Sequence, residues 1–187
     1  MSSLSPNLQK ASHRKILHSV KMLHLAFLLV FSHTSSAATV GAKDAGSCPE
    51  NWVDATLTGM GCLLFNTTAV MNWEDASVSC YQSNSSLVEI WTELQMDFLR
   101  SELKVLANSG FSSFWWTSAT DLGREGHWYW ASSLSPVPDF VWYSGSYAQP
   151  DGGTGENCAF LDSGYDFMIQ DFDCDYESST YPICQIK

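Results

Sequence analysis

Between residues 72 and 110, apolar residues recur at helical spacing in two stretches. In the first, Trp73, Ala76 and Cys80 fall on one face of a helix, and Asn72 stands at its N-cap position. The second begins with a capping box, follows an apolar stripe and ends at a glycine. Its residues are the capping pair Thr92 and Gln95, the stripe residues Leu94, Phe98, Leu99, Leu103 and Leu106, and Gly110.

Elsewhere the apolar residues form short runs or alternate with polar residues, as in strands. Runs at 52–53 and 62–65 flank a glycine-containing turn at 58–61 and predict a hairpin. Alternation over 127–130 predicts a further strand, and runs at 158–161 and 181–184 predict closing strands. A polar, glycine-rich stretch at 144–155 lies between the strand at 127–130 and the strand at 158–161, and its length is typical of a functional loop. This order of elements predicts an α+β fold.

The first 38 residues have the order of a secretory signal peptide. Four basic residues and no acidic ones precede an apolar run at 23–31, and small residues follow it at 35–38. A type II membrane anchor is disfavoured because the run is shorter than the ~20 residues needed to span a bilayer. We therefore predict a signal peptide at 1–38, starting at Met1 or Met22, a linker at 39–47, and one secreted, extracellular domain at 48–187.

The rest of the chain is strongly acidic. Residues 39–187 contain all 20 acidic residues but only five of the nine lysines and arginines, which disfavours nucleic acid and anionic membrane partners. His127 is the one histidine in this part, and it has no candidate nucleophile beside it in the sequence. The single histidine and the lack of a Cys-x-x-Cys pair argue against a zinc site. The single histidine also argues against catalysis by an imidazole, and although a carboxylate-pair glycosidase is conceivable with this many acids, nothing in the sequence places two of them together. We predict that the protein is not an enzyme.

The six cysteines all follow the predicted signal peptide. They are Cys48, Cys62, Cys80, Cys158, Cys174 and Cys184. An even number in a secreted chain indicates three disulfides, but six cysteines allow 15 pairings and the spacing does not choose among them. Two sequons, at Asn66 and Asn84, are predicted sites of N-glycosylation.

Five oxygen-bearing side chains lie in and after the glycine-rich loop, close to two of the cysteines. They are Gln149, Asp151, Glu156, Gln170 and Asp171. Calcium takes about six to eight oxygen ligands, chiefly carboxylates and amide or backbone carbonyls. The pattern therefore predicts a calcium site. The further acids Asp162, Asp166, Asp173 and Asp175 are more simply explained as a solvated face than as a second site.

Several motifs, in register with the cysteines, resemble the C-type lectin-like domain. They are Trp116-Thr117-Ser118-Ala119-Thr120-Asp121, Glu125-Gly126-His127-Trp128-Tyr129-Trp130, Gln149-Pro150-Asp151, Glu156-Asn157-Cys158, Ile169-Gln170-Asp171 and Tyr181-Pro182-Ile183-Cys184-Gln185. The resemblance runs from about Cys48 to Gln185. It implies the long form of that fold: two helices, two small antiparallel sheets, a long calcium- and sugar-binding loop, and the disulfides Cys80–Cys184, Cys158–Cys174 and Cys48–Cys62.

The resemblance also implies how the site is used. The five oxygen-bearing residues would hold one calcium ion and hydrogen-bond two neighbouring sugar hydroxyls. Gln-Pro-Asp in related lectins accompanies galactose-type ligands, and Glu-Pro-Asn accompanies mannose-type ligands. Two residues depart from the family pattern: Gln170 stands where asparagine is usual, and Ile169 where tryptophan is usual. The glycine-rich loop also lacks the stacking tryptophan of many galactose readers, which leaves Trp142 and Tyr147 as candidates, while Trp116, Trp128 and Trp130 are expected in the core.

We therefore expect a secreted, calcium-dependent lectin that binds galactose-type or mannose-type glycans. The resemblance implies a role in innate immunity through microbial surface carbohydrates. The alternative, favoured by the departures at Gln170 and Ile169, is a lectin-like domain that has lost calcium and binds a protein partner.

Overall fold

The computed structural model describes residues 48–111 and 114–187, so the predicted signal peptide and linker lie outside the described residues. The elements are β1 (Val53–Ala55), β2 (Gly61–Phe65), α1 (Trp73–Gln82), β3 (Ser86–Leu87), α2 (Glu93–Asn108), β4 (Phe114–Thr120), β5 (Tyr129–Trp130), β6 (Ser135–Pro136), β7 (Cys158–Asp162), β8 (Met168–Phe172) and β9 (Thr180–Ile186). None of the helices within the described ranges is long and apolar enough to cross a bilayer.

The strands form two antiparallel groups that meet at one parallel pair. In the first group β2 pairs with β1 and β9, and β3 also pairs with β9. In the second, β4 pairs with β5 and β7, β5 with β6, and β7 with β8. The two groups join where β4 runs parallel to β9, with Trp115 opposite Tyr181. The predicted α+β class, the two helices and the antiparallel sheets are confirmed, and the parallel junction is an addition to them.

Both helices begin where the sequence predicts. The Asn72 side chain accepts a hydrogen bond from the N–H of Asp75 at 2.9 Å, and that of Thr92 accepts from the N–H of Gln95 at 3.3 Å. The capping box of α2 is incomplete, however. The Gln95 side chain accepts instead from the N–H of Trp91 and donates to the carbonyl of Thr58, which ties the helix to the turn after β1.

The buried stripe of α2 is rotated from the predicted one. Leu99 and Leu103 are fully buried as expected, but Leu94 is 60% exposed and Met96 takes its place in the core. The helix stops at Gly110, whose φ of +87° favours glycine, as predicted.

Three disulfides fasten the elements together in the pairing that the resemblance implies. Cys80–Cys184 joins α1 to β9, Cys48–Cys62 closes the N-terminal hairpin, and Cys158–Cys174 joins the start of β7 to the segment after β8. Beside them, Trp116 and Trp130 are fully buried, as expected for core residues. Trp128 differs, since it is only partly buried and packs on the edge of the core against Trp142.

Candidate functional site

The glycine-rich loop is tied to β8 at both of its ends. On one side, Trp142 bridges to Ile169, and the N–H of Tyr143 donates to the carbonyl of Ile169 at 3.1 Å. On the other, Asp171 accepts hydrogen bonds from the N–H groups of Asp151, at 3.0 and 3.1 Å, and Gly152, at 2.8 Å. Ile169, where the family usually has tryptophan, is fully buried between these ties. Strand β8 is thus the support for the loop.

Three carboxylates converge at this point. One oxygen each from Asp151, Glu156 and Asp171 lies within 4.8 Å of the other two, and these three residues are the acidic cluster. Among the described residues they are the one such group of three, so the other acids nearby form no comparable group. Asp166, for example, pairs with Lys104 at 2.7 Å.

The position of Glu156 depends on glycine at 152. A Cβ built at Gly152 would overlap the Glu156 side chain, so the close approach requires a residue with no side chain. The chain after Glu156 is fixed from the other side, because the carbonyl of Asn157 accepts from the Thr120 hydroxyl at 2.6 Å and from the N–H of Asp121 at 3.2 Å. The Cys158–Cys174 disulfide follows directly and joins this segment to the end of β8.

The two predicted amide ligands are placed differently from each other. Gln149 precedes a cis bond to Pro150, and its Nε2 donates to the carboxylate of Asp151 at 2.8 Å. Its Oε1 is buried and has no hydrogen-bond partner. Gln170 is 8% exposed on β8, next to Asp171, and its Nε2 is also buried without a partner. Neighbouring residues in a strand point to opposite faces, so the geometry supports Gln149 more directly than Gln170 as a member of the site.

The electrostatics of the acidic cluster favour a bound cation. Burial raises the pKa of the Glu156 carboxyl above its usual value, and the charges of Asp171, Asp151 and Asp173 raise it further. Burial also raises the pKa of Asp171, although the N–H groups of Gly152 and Asp151 oppose that effect. None of the ion pairs in the described part of the chain involves the acidic cluster.

The donor set therefore fits calcium. Three carboxylates and two side-chain amides are the ligand types that this hard cation prefers. The Gln149 oxygen at the site is buried without a partner. An unpaired buried polar group is unfavourable, so a cation here would satisfy that oxygen and relieve the repulsion among the carboxylates. Gln170 could supply a second amide oxygen only by a half-turn of its amide and a turn of its side chain toward the Asp171 face.

The two candidate stacking residues have different surroundings. Trp142 is 7% exposed, and its ring meets that of Trp128 edge-to-face with centroids 4.8 Å apart, so most of it is committed to packing, which is the commoner fate of an aromatic residue. Tyr147 is 70% exposed, two residues before Gln149, and stays a candidate.

The sequence did not indicate β8 as a strand, nor the part that Asp171 takes in holding the loop. Ile169, Gln170 and Asp171 are all buried, so the strand has no alternation of apolar and polar residues to reveal it. The available signal was the spacing of this segment before Cys174.

Comparison with known proteins agrees with this architecture. Residues 69–186 match the family described as "Lectin C-type domain". Human C-type mannose receptor 2 is 28% identical over 130 residues, which are 70% of this chain but 8% of the receptor. C-type lectin domain family 4 member M of Nomascus concolor is 31% identical over 121 residues, or 63% of this chain and 27% of that protein. The chain thus spans a small part of these relatives.

Solved structures of isolated domains match over nearly their whole length. The human scavenger receptor C-type lectin carbohydrate-recognition domain is 28% identical, with a TM-score of 0.61 over 75% of this chain and 99% of that one. A Ca²⁺-dependent type II antifreeze protein in its Ca²⁺-free form is 27% identical, with a TM-score of 0.60 over 75% and 100%. These likenesses are to binding domains and not to enzymes, in keeping with the predicted lack of catalysis. Since the family match covers more than half of its residues, the chain belongs to the C-type lectin domain family.

Proposed function

We propose that this protein is a secreted lectin that binds glycans through one calcium ion held at the acidic cluster. The observation that supports the proposal is the convergence of Asp151, Glu156 and Asp171 within 4.8 Å, with no cationic side chain paired to them in the described structure. Family membership favours carbohydrate as the ligand class. The N-terminal pattern at 1–38 supports secretion.

The proposed calcium ligands are the carboxylates of the acidic cluster and the side-chain amides of Gln149 and Gln170. When bound, the ion would offer its remaining coordination positions to two neighbouring sugar hydroxyls. The protein's own part is to present acceptors and donors around those hydroxyls, and a carboxylate accepts more strongly than an amide. Because the Gln149 amide nitrogen donates a hydrogen bond to Oδ1 of Asp151, Gln149 turns its amide oxygen away from Asp151, and the other carboxylate oxygen of Asp151 is not engaged by Gln149.

By its resemblance to the Gln-Pro-Asp tripeptide of related lectins, the order of amide and acid at Gln149 and Asp151 favours a galactose-type ligand. Exchanging the amide and the acid between these positions would exchange donors and acceptors, and would suit a different arrangement of hydroxyls. We include recognition of microbial surface glycans in the proposal, since a secreted glycan-binding domain suits that role.

The test is a calorimetric titration of the protein with calcium, followed by galactose or mannose. We expect calcium to bind, galactose to bind only in its presence, and a chelator to abolish sugar binding. Asp151→Asn preserves the size of the side chain but removes a charge, so it should lose both activities. Asp175→Asn removes an exposed acid nearby and is the matched control, which should retain both.

Glycan binding that continues undiminished in chelator would contradict the calcium mechanism. Calcium binding with no sugar binding would contradict the lectin function. If neither ligand binds, the alternative of a calcium-independent domain for a protein partner gains support.

A further inference from the structure

A large apolar groove lies beside the acidic cluster. It has a volume of about 980 Å³, near the upper end of the range for ligand pockets, which is about 300–1,000 Å³. We call it the aromatic groove. The residues that give it its apolar character are Trp128, Tyr129, Leu134, Val137, Trp142 and Pro150.

The groove begins where the calcium site ends. Gln149 and Pro150 line it, and Asp151 of the acidic cluster is the next residue in the chain. The N–H of Gln149 donates to the carbonyl of Tyr143 at 2.8 Å, which holds this end of the loop against the groove wall. A sugar at the acidic cluster would therefore lie next to residues that line the groove.

One wall residue is unusually exposed for its type. Leu134 is 77% exposed and has a φ of +57°, a conformation that non-glycine residues seldom adopt. A hydrogen bond from its N–H to the carbonyl of Trp130, at 2.8 Å, stabilises the turn. The aliphatic side chain is thus presented to solvent at the groove by an ordered backbone.

The walls also indicate the charge of the occupant. The described residues that line the groove include His127 and Asp139 but no lysine or arginine. Sulfate, phosphate or carboxylate groups would find no fixed cation there. Tyr143, Ser144 and Gln149 add hydrogen-bonding groups, but most of the lining is apolar, so it matches an apolar chain better than a peptide backbone, whose N–H and C=O groups all need partners. An uncharged hydrocarbon chain needs neither.

We propose that the aromatic groove binds an alkyl chain attached to the sugar that occupies the acidic cluster, so that the preferred ligands are neutral glycolipids. The inference rests on the proposed function, because the sugar positions the chain at the entrance to the groove. Burial of one methylene contributes about a fourfold increase in affinity. Two or three buried methylenes are therefore enough for a tenfold effect or more.

The experiment compares methyl and octyl β-galactosides, and methyl and octyl α-mannosides, by calorimetry in calcium below the concentrations at which they form micelles. For the sugar that binds, we expect the octyl glycoside to bind at least tenfold more tightly than the methyl glycoside. Leu134→Asp should remove most of that preference while leaving methyl glycoside affinity and calcium binding unchanged. Leu94→Asp places the same charge at a 60% exposed leucine on α2 and should change nothing.

The outcomes separate this inference from the proposed function. Equal affinity for methyl and octyl glycosides would overturn the inference and leave the lectin function intact. Octyl glycoside binding that persists in chelator and is matched by 1-octanol would also overturn it, because the groove would then act independently of the sugar site. If no glycoside binds in calcium, the proposed function fails and the inference fails with it.

Discussion

Neutralising one carboxylate of the acidic cluster should have opposite effects on stability without and with calcium. Glu156→Gln preserves the size of the side chain beside Gly152 and removes one charge. The three carboxylates lie within 4.8 Å of one another, so each pair repels by about 0.9 kcal/mol in a water-like dielectric. Glu156 belongs to two of the three pairs, and screening at physiological salt leaves a total of about 1 kcal/mol.

The sign for the calcium-free protein follows from the raised pKa values. The folded state holds these carboxylates together and raises the pKa of Glu156, so ionisation at neutral pH costs stability. In chelator, Glu156→Gln should therefore melt about 3 to 4 °C above the wild type, as expected for about 1 kcal/mol in a domain of this size.

Calcium should reverse that order. At a concentration 100 times its Kd, calcium adds about 2.7 kcal/mol to the stability of the wild type, or about 8 to 10 °C in Tm. The variant lacks one carboxylate ligand and should gain less than half of this.

Thermal unfolding followed by circular dichroism, in chelator and in millimolar calcium, measures both effects. Glu177→Gln, at an exposed acid outside the acidic cluster, changes the net charge by the same amount and is the control. A Glu156→Gln variant that is no more stable than the control in chelator would contradict the repulsion among the carboxylates, and one that keeps the full calcium shift would contradict a ligand role for Glu156.

Four further predictions concern the same site. Gly152→Ala should displace Glu156 and so weaken calcium binding at least tenfold in a calorimetric titration. Gly155→Ala, where a Cβ has open space, should bind calcium normally, and equal affinities of the two variants would contradict this prediction. Calcium affinity should fall as pH is lowered from 7 to 5, because burial raises the pKa of Asp171 and Glu156 and both must ionise to bind the ion. Over the same pH range the calcium-free protein should instead melt at a higher temperature as pH falls, because Glu156 and Asp171 bind protons more tightly in the folded state than in the unfolded state. A Tm that falls with pH would argue against repulsion among the carboxylates of the acidic cluster. Gln170→Ala should lower calcium affinity about tenfold if its amide is a ligand, and an unchanged isotherm would remove it from the site.

Local signals in the sequence predicted the helices well. Asn72 and Thr92 act through hydrogen bonds to residues three positions along the chain, so their capping roles are visible in a short window. The side chain of Gln95 was harder to predict, because its partner Thr58 lies 37 residues away. The burial of the α2 stripe likewise depended on which face meets the sheet, and this is why Leu94 was misplaced.

The candidate site was predictable in its membership but not in its geometry. The carboxylates of Asp151, Glu156 and Asp171 were identified from residue type and spacing, and the structure brings them together. The contacts that hold these carboxylates in place were not visible in the sequence in the same way. The parallel pairing of β4 with β9 and the backbone hydrogen bonds to Asp171 join segments distant in sequence, for which a single chain gives no local signal.

The position of β2 determines how this domain can be combined with others. Because β2 lies between β1 and β9, with Cys62 opposite Ile186, the first and last described strands leave the domain from neighbouring places. Units with adjacent ends tolerate insertion into a longer polypeptide, since the flanking segments need only a small gap to close. The same geometry is compatible with relatives in which the matching portion is 8% of a much longer protein.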